Sequence, residues 1–251
     1  MSVSGGPDIV TDNLLIYIDS ANEQSYISGS EYCTNLVDGT QGLITASWEQ
    51  SQYAHDDIIR YNSDNLGEWV FPPTESMGVR GNMIHFTQSF MPSQPFPFGA
   101  GGWFSTDSNA PRSGSLFMFV SSSYGGDWTG VSTNAEGTSL TLRRRTGFGS
   151  DVMDSITTSI IPYTMFYIHV NFISSTAAQA FLNGKLVFDS TSLTNIGTSA
   201  TNFLIGSLRI AGPSPWDFFV GSCAIAYVTT GSLTEQEVLQ NFNATRGRFG
   251  I

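Results

Sequence analysis

Hydrolysis of a glycoside needs two carboxylates held across the scissile bond. A run of the form Glu-x-Asp-x-x-Glu would supply them from one strand, and none occurs in this sequence. Glu235 and Glu237 are close together, but they fall in the first turn of an expected helix, where the helix dipole favours carboxylates. A nucleophilic serine would call for a Gly-x-Ser-x-Gly elbow, which is also absent. His55, His85 and His169 are scattered, with neither His-Glu-x-x-His nor Cys-x-x-Cys spacing to hold zinc. His169 falls on an expected strand, where pairing with a neighbour is its simplest role. Asp56–Asp57, Asp107 and Asp127 could offer oxygens to calcium but lack the alternating spacing of a calcium loop. Turn-forming aspartates are the default. No Gly-rich phosphate loop precedes a helix, and Gly99–Trp103 reads as a bulge or bend. The expectation is a protein without cofactor or metal site, and not an enzyme.

Residues suited to adhesion are easier to find. Tyr124, Asp127 and Trp128 lie in SSSYGGDWTG, which reads as a flexible loop. An aromatic face stacks on a sugar ring, and an adjacent carboxylate accepts hydroxyl hydrogen bonds. The same aromatics suit a protein interface, where Tyr and Trp are enriched. Trp216 in GPSPWDFF poses the same choice. Protein contact is the favoured reading of both, with sugar the alternative, because residue type alone does not separate them. Arg143, Arg144 and Arg145 form a basic run in an acidic chain. On a strand the outer two share a face. They protect a sheet edge or dock an acidic partner. Arg246 and Arg248 near the end dock likewise or neutralise a helix C-terminus.

Charge narrows the partners. The chain of 251 residues carries a formal net charge of −11, and Lys185 is its one lysine. Such a chain repels nucleic-acid backbones. Cys33 and Cys223 are too few for a disulfide framework, and an unbridged pair is the favoured reading. The start, MSVSGGPDIV, has no basic and apolar leader, and no apolar run approaches membrane-spanning length. We expect neither nucleic acid nor membrane as partner, and synthesis in a cytoplasm without a signal peptide.

The elements that must position these residues are mostly strands. Charged residues are only 12% of the chain, about half the usual share, and Gly, Ser, Thr and Asn fill the gap. NLLIYIDS alternates, and so does Thr164–Ile173, with Phe166, Ile168, Val170 and Phe172 on one face and Tyr167, His169 and Asn171 on the other. Asn183–Gly184 predicts a type I′ hairpin setting Leu182 opposite Lys185 and Phe181 opposite Leu186. LGEWVF and VRGNMIHF read as paired strands about the Pro72–Pro73 turn. The end reads as a helix over about 232–246, with Ser232 and Glu235 as a capping box, Val238, Leu239 and Phe242 as its apolar stripe, and Gly247 as its stop. The fold expected is all-β: two antiparallel sheets packed face to face, one domain over 9–251 with a flexible arm at 1–8, the terminal helix on its surface and a tail at 247–251.

Five stretches carry a family resemblance: IVTDNLLIYIDSANEQSY, FGAGGWFST, FYIHVNFISSTAAQAFLNGKLV, FLIGSLRI and the closing FFVGSCAIAYVTTGSLTEQEVLQNFNATRGRFG. In this order and spacing they resemble the LamG-like, concanavalin A-like jelly-roll proteins of tailed bacteriophages, cyanobacterial ones especially. The resemblance implies a jelly-roll sandwich in which the last strand leads into a short helix. It implies a virion structural protein, assembled in the host cytoplasm, decorating a capsid or sitting on a tail or baseplate. Other virion proteins are its implied partners, with a homo-oligomer, such as a trimer, as its implied state. A carbohydrate-binding adhesin for host glycans is the alternative. Ser222, Cys223 and Ala224 replace the acidic residue that follows the last-strand Gly in that family, so calcium sites of relatives are not carried over.

Overall fold

The computed structural model describes residues 8–46, 59–63, 67–72, 82–87, 96–108, 113–121, 127–146, 151–157, 159–194, 201–208 and 218–251. In chain order the strands are β1 (Leu14–Asp19), β2 (Tyr32–Thr34), β3 (Gln41–Ala46), β4 (Arg60–Asn62), β5 (Glu68–Phe71), β6 (Asn82–Phe86), β7 (Phe98–Thr106) and β8 (Ser115–Val120). They continue as β9 (Trp128–Thr133), β10 (Leu140–Arg145), β11 (Val152–Thr157), β12 (Phe166–Ser174), β13 (Ala177–Leu182), β14 (Lys185–Ser190), β15 (Asn202–Ile205) and β16 (Gly221–Thr229). The helix α1 (Glu235–Thr245) follows, then a 3-10 turn over Arg246–Phe249.

The strands make two antiparallel sheets. The first runs β14-β13-β12-β7-β16-β5-β4 with β1 also on β16; the second runs β11-β10-β9-β8-β15-β6-β3-β2. Their inner faces share one core, in which Phe98, Phe104, Phe166, Ile168, Val170 and Phe172 of the first sheet meet Ile84, Phe86, Phe117, Phe119 and Phe203 of the second. The expected jelly-roll sandwich with a short C-terminal surface helix is therefore the fold. Phe98 bridges the layers, its ring 5.0 Å from Phe119 and 4.8 Å from Phe172. The predicted hairpin forms with Leu182 opposite Lys185 and Phe181 opposite Leu186, and Asn183 and Gly184 take φ of 50° and 77°, as the turn type requires.

Five local expectations are corrected. β5 and β6 do not pair: β5 lies against β4 and β16, and β6 against β3 and β15. After Pro72 the chain therefore changes sheet. Gly99–Trp103 is neither bulge nor bend but the middle of β7, the nine-residue strand between β12 and β16. Its glycines yield space to neighbours, since a Cβ on Gly101 would sit 2.8 Å from the Tyr227 hydroxyl and 2.5 Å from the Ile168 carbonyl. β10 is no edge, being paired on both sides. Finally, the capping box is Thr234 with Glu237, because Asn171 holds Leu233 by both its N–H (2.9 Å) and its carbonyl (2.7 Å) and delays the helix start. The left-handed stop moves to Gly250 (φ 69°) because Arg246–Phe249 wind on as a 3-10 turn.

Candidate functional site

The second sheet's outer face receives two of the predicted sets together. Trp128 stands in β9, not in a loop, and is only 4% exposed. The register sets Arg145 opposite it, and the guanidinium lies 4.5 Å from the Trp128 ring centre. A cation so placed is held by the ring quadrupole, and it occupies the face a sugar would need. Asp127 precedes the strand, and its carbonyl accepts from Ser121 N–H at 2.9 Å. Arg143 is buried on the same face and ion-paired to Asp151 at 2.6 Å. Arg144 points inward, pairs with Asp154 and donates to the Thr194 carbonyl at 2.6 Å. The docking patch expected of Arg143 and Arg144 is thus corrected: both charges are satisfied inside the chain. Tyr124 and Trp216 lie outside the described residues, as do His55 and Asp56–Asp57.

At the chain's end, Arg248 is also turned inward. It pairs with Asp19 at 2.6 Å and donates to the Gly67 carbonyl at 2.5 Å. It clasps the end of β1 and the turn before β5. Arg246 is exposed, its guanidinium 5.7 Å from the Phe242 ring centre. Trp103 of β7 packs between Phe242 (5.7 Å) and Phe249 (4.4 Å) and donates to Thr245 Oγ1 at 2.7 Å. The terminal helix and turn therefore cover the first sheet's outer face.

Beneath that cover lies a buried polar chain. His169, fully buried, faces Gly101, which in turn faces Tyr227. Over the glycine, Tyr227 Oη meets His169 Nδ1 at 3.0 Å. His169 Nε2 is 2.8 Å from Asn171 Oδ1, which already accepts from Leu233 N–H. The imidazole must therefore donate from Nε2 and accept at Nδ1. Tyr227 then donates to His169 and accepts from the Tyr167 hydroxyl, its partner on the other side. Burial pulls the His169 imidazole down to about 4, with Asn171 opposing the shift. Burial likewise raises both phenols. The row is buried under α1, and Asn171 ties it to Leu233 just before the helix.

The open aromatic–carboxylate pair is at one end of the sandwich. Here the connections after β7, between β9 and β10, and between β11 and β12 meet. Thr106 Oγ1 donates to the Gly137 carbonyl at 2.6 Å, Ile160 N–H to the Thr138 carbonyl at 3.0 Å, and Tyr163 N–H to the Thr106 carbonyl at 2.7 Å. Tyr163 is 62% exposed, beside Ile161 at 70%. Its hydroxyl donates to Asp107 Oδ1 at 2.5 Å and accepts from Ser108 Oγ at 3.1 Å. Its backbone has φ of 61°, a left-handed conformation that costs a non-glycine residue roughly 1 kcal/mol or more. Asn134 fixes the adjoining turn, accepting from Thr138 and Ser139 N–H and donating to Glu136 at 2.6 Å. In the sequence Asp107 reads as a turn-forming aspartate, with calcium the alternative, and Tyr163 carries no expected role; the Pro162–Tyr163 pair before a strand is the available signal. Among the described residues no cluster of three or more His, Cys, Asp or Glu could hold a metal, and no helix is long and apolar enough to cross a membrane.

No family model matches the chain, and no curated protein matches it in sequence. Its fold is shared with solved structures. Domain 4 of AbnA, a GH43 extracellular arabinanase from Geobacillus stearothermophilus, in complex with arabinotriose, aligns with TM-score 0.65 and 14% identity over 92% of this chain and 98% of that one. Trypanosoma rangeli sialidase, in complex with the inhibitor DANA, aligns with TM-score 0.63 and 10% identity over 98% of this chain. Botulinum neurotoxin type C, whose cell entry depends on two ganglioside molecules, aligns with TM-score 0.61 and 12% identity over 93% of this chain. This chain spans 36% of the sialidase chain and 51% of the toxin chain. At such identities the likeness is one of fold: a β-sandwich recurrent in carbohydrate-handling proteins. It corrects the expectation that the chain is not an enzyme. Chains of glycoside hydrolases contain this fold, and active-site carboxylates can converge from distant strands, so one missing local spacing does not exclude them.

Proposed function

We propose that this chain is a carbohydrate-binding β-sandwich module whose glycan contacts the end bearing Tyr163 and Asp107. The observation that carries the reading is Tyr163 itself, an exposed ring on a strained backbone with its hydroxyl anchored to a carboxylate. Such a ring offers an apolar face to the C–H side of a sugar, while Asp107 and Ser108 stand beside it as hydrogen-bonding groups. Domain 4 of the arabinanase, which aligns over nearly its whole length, is a precedent for oligosaccharide binding on this fold.

A glycan array probed with the purified chain tests the reading. We expect binding, reduced at least tenfold by Tyr163→Asn, which removes the ring while tolerating the positive φ. Binding to no glycan, or binding indifferent to this substitution, would remove the proposal.

A second reading concerns where the module works. The stretches resembling tailed-phage LamG-like proteins fall on β1, β7, the β12–β14 run, β15, β16 and α1. They favour a virion protein of capsid, tail or baseplate, with residues 9–251 as one unit, an arm at 1–8, virion proteins as neighbours and a homo-oligomer as the working state. A host-glycan adhesin on a virion satisfies both readings. Mass spectrometry of purified phage particles is the check: the polypeptide should be among their components, and its absence would end this reading.

A further inference from the structure

We infer that Asn183 is a site of self-modification: the Gly184 nitrogen attacks its side-chain amide, and the seating of α1 on the hairpin sets the rate. Asn183–Gly184 is the chain's one Asn-Gly pair. With no Cβ, glycine leaves its own backbone nitrogen open to the preceding side chain and gives the backbone the freedom the attack needs. That nitrogen forms a bond to Asn183 Cγ and gives up its proton, while the side-chain nitrogen leaves as ammonia. Water opens the resulting five-membered imide at either carbonyl. The product is aspartate, or isoaspartate with the backbone running through Cβ, and nothing is oxidised or reduced.

The folded hairpin opposes this reaction in two ways. Asn183 and Gly184 take φ of 50° and 77°, and in a type I′ turn the Gly184 nitrogen is rotated nearly opposite the Asn183 Cβ, where no ring closes. Asn183 is also engaged by β12: its Oδ1 accepts from Tyr167 N–H at 2.9 Å, and its own N–H donates to the Tyr167 carbonyl at 2.8 Å. Rotation into the attacking geometry therefore means opening the turn, and α1 holds the turn shut. Gly184 is buried, and the place where a Cβ would stand is 2.9 Å from Leu239 Cδ1 and 3.2 Å from Phe242 Cδ1. Aspartate at 183 would keep the acceptor for Tyr167. Isoaspartate adds a backbone atom to a two-residue turn, so the pairing of Leu182 with Lys185 and the seat of α1 are disturbed together.

Peptide mass analysis of the full chain, incubated at pH 8.5 with and without 8 M urea, tests the inference. We expect a gain of one mass unit at Asn183. It should accumulate at least about tenfold faster in urea, because the native reaction waits on local opening of the turn. Phe242→Ala and Leu239→Ala loosen the seat of α1 without touching the hairpin. Both should speed the native reaction, Phe242→Ala the more. Leu239, 42% exposed, carries the test where Phe242→Ala unfolds the chain. In the isoaspartate fraction the amides of α1 should exchange hydrogen faster than in the parent chain. No gain at Asn183 even in urea would remove the site. A native rate equal to that in urea, or one unchanged in both variants, would overturn the control by α1.

Discussion

His169 couples the acidity of the solution to the stability of the fold. Its Nδ1 accepts from Tyr227 and its Nε2 donates to Asn171, so an added proton on Nδ1 forces the Tyr227 hydrogen bond to reverse and places a charge in a fully buried site. Burial lowers its pKa from 6.5 to about 4, so the unfolded chain binds the proton first. The stabilisation from the neutral ring is complete above pH 6.5 and is lost as pH falls toward 4. A shift of this size corresponds to about 3 kcal/mol. His85, half-buried and also lowered by its burial, adds to the same trend. Urea unfolding at pH 7.5 and 4.5 should show a smaller stability difference for His169→Gln than for the parent chain. Equal differences would contradict the account. The histidine's strand and face were legible from alternation in the sequence. Its burial was not, because the cover comes from α1, some 65 positions further along the chain.

At the scale of elements, β7 organises the first sheet. It pairs with β12 and β16 along most of its length, and its outer face alternates Gly99, Gly101 and Trp103. The two glycines make room for the His169–Tyr227 contact, and the tryptophan seats α1. Gly101→Ala would force a Cβ against the Tyr227 hydroxyl and the Ile168 carbonyl. Since one contact is backbone in a central strand, relaxation is limited, and we expect a loss of roughly 1–3 kcal/mol in chemical unfolding. No loss would show that the β12–β7–β16 packing is looser than described. Reading glycine as a bend failed here because glycine in a strand marks close approach as often as curvature, and only the neighbouring strands decide which.

At the scale of the whole molecule, Cys33 of the second sheet and Cys223 of the first are both buried in the shared core and unbridged. Burial pushes the Cys33 thiol up to about 12 and raises Cys223 well above its ordinary range. Neither is a nucleophile at neutral pH. We expect two titratable thiols in denaturant without reductant, and slow reaction with a thiol reagent in the native state. Zero thiols in denaturant would reveal a bridge between the layers. The sandwich also brings the connections near residues 107, 137 and 163 to one end, and this convergence creates the candidate site.

The sequence by itself determined the local periodicities: alternating strands, the Asn183–Gly184 hairpin with its register, and the terminal helix with Val238 and Phe242 on its buried face. These follow from short-range backbone chemistry and from which side chains avoid water. Only the tertiary structure decided which strands share a sheet, that Trp128 and the arginines beside it are closed off, and that Tyr163 is open beside Asp107. Those outcomes depend on contacts that the packed sandwich sets up, from Arg143 with Asp151, 8 positions apart, to Asp19 with Arg248, 229 apart. No local pattern encodes such pairs, because the free energy that selects them comes from packing the two layers together.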